Sequence, residues 1–197
     1  MLDLGPRYNA AETFIDAHRG VRDDRIAIRC QGATVTYGEL AANVDRAGNA
    51  LREIGIGQEQ RVIILCADSP AFIYAFFGAI KIGAIPVPVN PLLTATDLAY
   101  VLADSRARAI VVSAPLLPKV LEARTAAPLL QHVLVTGDSS FDGTATGVAA
   151  FEALLAAAAP ELSPADTTPD DACFWLYSSG TTGRPKGAVH LQHDMLF

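Results

Sequence analysis

The chain has 197 residues, of which 51% are hydrophobic and 18% charged, against about 25% charged in an average soluble protein; so much apolar content excludes disorder as its main state. Fifteen lysines and arginines face 21 aspartates and glutamates, leaving a net charge of −6 and no cationic run. Nucleic acid is therefore a poor partner, and any phosphate site must be built from local donors. Three cysteines, Cys30, Cys66 and Cys173, lie far apart without metal-ligand spacing, which excludes a disulfide scaffold and fits free thiols in a reducing, cytoplasmic compartment.

The opening MLDLGPRYNAAETF lacks a basic stretch followed by an apolar one, so no signal peptide is expected. Residues 10–19 are expected to be helical. Arg25–Cys30 and Thr34–Thr36 suit a short hairpin around Gln31-Gly32. Thr36 and Glu39 have the spacing of a capping box and open a helix with apolar positions at Leu40, Val44, Ala47, Leu51 and Ile54. Gly55 and Gly57 end it.

Arg61–Ala67 is a continuous apolar run, as expected of a strand covered on both faces. Ser69-Pro70 offers a cap and a first-turn proline for a helix to Ile82. The apolar stretch Ala71–Val89 is no membrane span, because Lys81 sits in its middle and Pro86 and Pro88 break its end. Strands are expected at Ile85–Val89, Ala109–Ser113 and Val133–Thr136, with helices at Thr96–Ala103 and Pro115–Arg124. This βαβα rhythm predicts an α/β fold, a mostly parallel sheet flanked by helices.

Residues 137–147 read as a polar loop and Phe151–Ala159 as an alanine-rich helix. The proline- and acid-rich segment 160–171 suits either a domain linker or, better, a surface loop leading into the next strand. Strands are expected at Ala172–Tyr177 and Gly187–His190, with a helix beginning at Gln192. The sequence stops about one turn into that helix without a stop signal. The expectation is an incomplete domain.

The strongest chemical signal is SSGTTGRPKG, Ser178–Gly187, framed by two apolar strands. Its three glycines let the backbone approach a ligand and expose N–H donors, its four hydroxyls add polar contacts, and Lys186 brings a mobile positive charge. Together these parts suit a polyphosphate. The loop does not match the G-x-x-x-x-G-K-[ST] pattern: after Gly180 and four intervening residues stands Pro185 instead of glycine, the lysine precedes Gly187, and a strand follows instead of a helix. A Ser–Lys hydrolase, with Ser178 or Ser179 as nucleophile and Lys186 as base, is compatible with the spacing but leaves the other hydroxyls and the arginine without a role.

YSSGTTGRPKG resembles the phosphate-binding signature of the acyl-adenylate-forming enzymes, the AMP-dependent synthetases and ligases. VTYGELAANVDRAGNAL, from Val35, and AIKIGAIPVPVNPLL, from Ala79, resemble two further blocks of that family in order and spacing. FWLYSSGTTGRPKG, with PVPVNPLLT and SRARAIVVS, is most similar to benzoate–CoA ligases. The resemblance implies that residues 1–197 are an incomplete N-terminal AMP-binding domain, the C-terminal domain being absent. It also implies that a carboxylate attacks the α-phosphate of Mg-ATP and that the thiol of coenzyme A then displaces AMP.

By match to the motif, Ser178, Ser179, Thr181 and Thr182 would supply hydroxyls. Gly180 and Gly183 would supply backbone N–H groups, and Lys186 a charge to a terminal phosphate. Partners would be a carboxylic acid, ATP and coenzyme A, with Mg²⁺ bound mostly by residues outside this chain. The chain alone is expected to be inactive. A non-catalytic nucleotide- or partner-binding module that kept the loop is the alternative. His190, His193 and Asp194 lack an evident further metal ligand; His193, just before a helix, suits packing or capping. Trp175, Tyr177 and Phe72, Phe76 and Phe77 read as core, and Asp170-Asp171 as solvating the loop.

Overall fold

The computed structural model describes residues 4–138, 140, 147–178 and 183–196. The chain opens with a short helix, α1 (Ala10–Phe14), followed by a 3₁₀ turn at Asp16–His18, where a single longer helix was expected. Strands β1 (Ile26–Cys30) and β2 (Ala33–Thr36) pair antiparallel about Gln31 and Gly32, both at positive φ. Helix α2 (Tyr37–Glu53) starts on the expected capping box: the Thr36 hydroxyl accepts from the Glu39 amide at 3.2 Å, and the Glu39 carboxylate accepts from the Thr36 amide at 2.8 Å.

The core is doubly wound. Strands β3 (Arg61–Leu65), β4 (Ile85–Pro88), β5 (Ala109–Ser113), β6 (His132–Thr136) and β7 (Val148–Ala150) form one parallel sheet in the order β4-β3-β5-β6-β7. Alternate residues serve opposite faces. Ile63, Leu65, Ile110 and Val112 pack beneath α4 (Ala95–Ser105) and α5 (Leu117–Arg124), whereas Val62, Ile64 and Val111 pack beneath α2, α3 (Pro70–Lys81) and α6 (Phe151–Ala157). The apolar runs expected to form strands covered on both faces are the buried ones.

Two close contacts fix these layers. Helices α2 and α3 meet at Gly48 and Gly78, where a Cβ on Gly78 would stand 2.8 Å from the Gly48 amide nitrogen. Lys81, the charge inside the apolar run, is only 1% exposed. Its ammonium group lies 2.7 Å from Asp16 and 2.5 Å from Asp45, and Asp45 also pairs with Arg19 at 2.5 Å. These four side chains satisfy one another where apolar neighbours could not.

β4 is an edge strand. Ile85 and Val89 donate their amides towards β3, to Gln60 and Ile64, so the alternating Pro86 and Pro88 fall on the outer side, where they offer no N–H. There β8 (Ala172–Ser178) packs against β4 without joining its ladder, and pairs instead with β9 (Lys186–Leu191) in a separate antiparallel hairpin. The segment 160–171 is no linker. Thr167 and Tyr8 exchange bonds of 2.8 and 2.7 Å, and the Ala165 amide donates to the Lys81 carbonyl at 2.7 Å. A 3₁₀ turn, Gln192–Leu196, stands where a helix was expected. Among the described residues no helix is long and apolar enough to cross a membrane.

Candidate phosphate-binding site

The glycine-rich segment joins the ends of the β8–β9 hairpin. Ser178 and Lys186 are register partners and both are exposed, so they face one another at the base of the loop. Ser179, Gly180, Thr181 and Thr182 lie outside the described residues. Gly183 has φ +123°, a conformation that favours glycine. Pro185 follows and turns the chain into β9.

The two limbs of the loop are tied to α4. On the outgoing limb the Tyr177 hydroxyl donates to Asp104 Oδ2 at 2.6 Å. Burial and then the bond to Asp104 push the Tyr177 hydroxyl above its ordinary pKa, so it stays a donor at neutral pH. On the returning limb the Arg184 guanidinium lies 5.2 Å from the centroid of Tyr100. Deeper in β8, Trp175 packs on the core beneath the guanidinium of Arg61, 5.5 Å from its centroid. The expected core role of Trp175 therefore holds, while Tyr177 adds a polar tether to its packing. Neither Asp104, Tyr100 nor Arg61 carries a motif that marks it in the sequence.

Pro185 lines two clefts. One, of about 220 Å³, lies between Tyr177 and the carboxyl end of β4 at Val89 and Asn90. The other, of about 400 Å³, lies between Arg184 and the α4 residues Thr96, Asp97 and Tyr100. The described limbs of the loop thus stand beside the carboxyl end of a parallel strand, where open α/β sheets bind ligands. Exposed backbone, a hydroxyl and a lysine there can hold an anion with several acceptor oxygens. A Ser–Lys hydrolase needs its lysine held neutral by burial. Lys186 is exposed.

The remaining candidates serve the fold. His190 stacks on Phe174, centroids 4.5 Å apart, and His193 Nδ1 lies 2.9 Å from the Pro169 carbonyl, tying the last turn to the preceding loop. Asp194 accepts from the Leu191 amide at 2.8 Å, and Asp171 from the Thr168 amide at 2.7 Å. Phe72, Phe76 and Phe77 are half-buried, and Phe76 carries their contact across to Phe174. Burial pushes the thiols of Cys66 and Cys173 up to about 12.

A family model for the AMP-binding enzymes matches residues 15–197. The chain belongs to the AMP-binding enzyme family. It is 41% identical over 197 residues to a benzoate–CoA ligase of Thauera aromatica, across 99% of this chain and 36% of that protein. A 3-hydroxybenzoate/4-hydroxybenzoate–CoA ligase of the same organism is 39% identical across 88% of the chain and 32% of its own length. Among solved structures, an anthranilate CoA ligase in complex with anthranoyl-AMP superposes on 96% of the chain, with a TM-score of 0.90 and 33% identity. A benzoate CoA ligase from Burkholderia xenovorans LB400 gives a TM-score of 0.84, also at 33% identity. The chain spans 36% and 35% of those two structures. It thus matches about a third of the length of each of these AMP-binding enzymes.

Proposed function

We propose that this chain is the first part of the AMP-binding domain of an ATP-dependent aromatic acid–CoA ligase, with the C-terminal domain lying beyond it. The observation that carries this reading is 41% identity to a benzoate–CoA ligase along 99% of the chain. The acid is of the benzoate class. Its carboxylate attacks the α-phosphate of ATP, pyrophosphate leaves, and the thiol of coenzyme A displaces AMP to give the thioester. A cytoplasmic setting is supported by three free cysteines.

This chain's part is to hold the leaving pyrophosphate. Ser178, Ser179, Thr181 and Thr182 offer hydroxyls, Gly180 and Gly183 offer amides, and Lys186 offers a charge to a terminal phosphate. Support comes from the exposed Ser178–Lys186 pair and from the turn at Gly183. Such donors act by being in place before charge develops, and losing one typically costs about 3 kcal/mol of barrier. Magnesium accompanies ATP in this reaction. Among the described residues no cluster of three or more His, Cys, Asp or Glu side chains could hold a metal ion, so no step in this chain is assigned to it.

Acid-dependent exchange of labelled pyrophosphate into ATP, measured on the complete protein with benzoate, hydroxybenzoates and a long-chain fatty acid, tests the reading. Exchange with the aromatic acids is expected. Mg-ATP binding without exchange for any acid would favour a non-catalytic nucleotide-binding module instead.

A further inference from the structure

We infer that helix α4 is the platform that positions the phosphate loop, Asp104 holding its outgoing limb through Tyr177 and Tyr100 holding its returning limb through Arg184. The inference deepens the ligase reading and rests on it for the identity of the ligand. Tyr100 and Asp104 are four residues apart on one helix, which places them on one face. Each touches a different limb: Tyr177 directly precedes Ser178, and Arg184 lies between Gly183 and Lys186. Across the hairpin Tyr177 is paired with Gly187, whose missing Cβ leaves room for the tyrosine ring. The two limbs are thereby set against one surface.

That surface is rigid. Thr94 caps α4 through the Asp97 amide at 3.1 Å, Arg106 ends it in the left-handed conformation, and Leu98, Val101 and Leu102 are buried in the core. With both described limbs pinned to such a helix, less of the chain around the polyphosphate has to be placed on binding, and that pre-organisation of the limbs shows as affinity. Tyr177 and Asp104 are positioning residues: their hydroxyl and carboxylate are committed to one another. Arg184, turned onto Tyr100, serves the loop's placement ahead of the phosphate itself.

Calorimetric titration of the complete protein with Mg-ATP and, separately, with AMP tests this, since AMP lacks the two phosphates the loop would hold. Tyr177→Phe and Asp104→Ala are each expected to weaken Mg-ATP about tenfold, a misplacement-sized effect, while AMP affinity is unchanged. The double variant is expected to be no weaker than either single one, because both remove the same bond. Asp104→Ala is expected to weaken Mg-ATP more than Asp104→Asn, which keeps an acceptor oxygen. Unchanged Mg-ATP affinity, or equal weakening of Mg-ATP and AMP, would overturn the inference. A parent protein that binds Mg-ATP but supports no acid-dependent exchange would instead sink the ligase reading, the affinity ratio still deciding this one. Failure of the parent to bind Mg-ATP overturns both.

Discussion

The ring of Tyr177 covers Gly187 across the β8–β9 hairpin so closely that a Cβ at position 187 would stand 3.1 Å from the tyrosine Cζ. The glycine that closes the loop motif is therefore required by its neighbour. Gly187→Ala is expected to push Tyr177 off Asp104 and to destabilise the protein by about 1 kcal/mol, as overpacking does. Chemical denaturation of parent and variant measures it, and an unchanged midpoint would show that the ring shifts freely.

Lys186 brings a positive charge to the base of the loop, opposite Ser178. Lys186→Ala in the complete protein is expected to lower the adenylation rate by roughly tenfold or more, with less effect on ground-state binding, since the charge it meets grows as pyrophosphate leaves. Single-turnover formation of the acyl-adenylate reads this directly. A rate equal to the parent's would leave the lysine as a solvated side chain.

The buried quartet around Lys81 gives a stability prediction. Removing the ammonium in Lys81→Ala leaves Asp45, whose side chain is 3% exposed, with the partly exposed Arg19 and the Leu162 amide and without its buried counter-charge. A loss of about 3–5 kcal/mol is expected, the usual cost of breaking one partner out of a buried pair. Replacing both members, as in Lys81→Met with Asp45→Leu, is expected to recover most of it. Denaturation midpoints of the two variants decide between this view and one in which the cluster is merely tolerated.

Cys66 and Cys173 are the basis of a pH and labelling prediction. Burial favours their neutral form, with thiol values of about 12, against about 8.5 for a free thiol. Between those values the folded state binds protons that the unfolded state has released, so stability is full below the lower value and falls as pH rises through the interval. Cys173→Ala is expected to flatten that alkaline decline. At pH 8 a thiol reagent is expected to modify the half-buried Cys30 and to reach the other two only on unfolding.

How much of this was legible depends on how far apart the partners lie in the chain. The Thr36–Glu39 cap, the glycine stops and the apolar strands are local chemistry, and each stands where its residues predict. Strand β7 was missed because Val-Ala-Ala is too short to show alternation. Helix α1 ends early because Ile15 leaves the helix and Asp16 is drawn to Lys81, a partner 65 residues away. The motif at 178–187 is what points to the proposed phosphate loop. Its supports did not announce themselves, since Asp104 lies 73 residues before Tyr177 and looks like any exposed helical acid. Lys81 was visible as a charge in an apolar run, whereas its partners are visible only once α2 and α3 touch.

The prolines of β4 have a consequence for association between molecules. A sheet of nearly pure apolar strands with a bare edge invites another chain to add a strand, the first step towards aggregation. Pro86 and Pro88 silence every second position of that outer edge, and they do so while β8 is still being synthesised. At the opposite margin β7 offers only three residues, Val148–Ala150, too few to template a partner. The nascent sheet is thus protected on both sides by its own sequence, before the hairpin that carries the loop arrives to cover it.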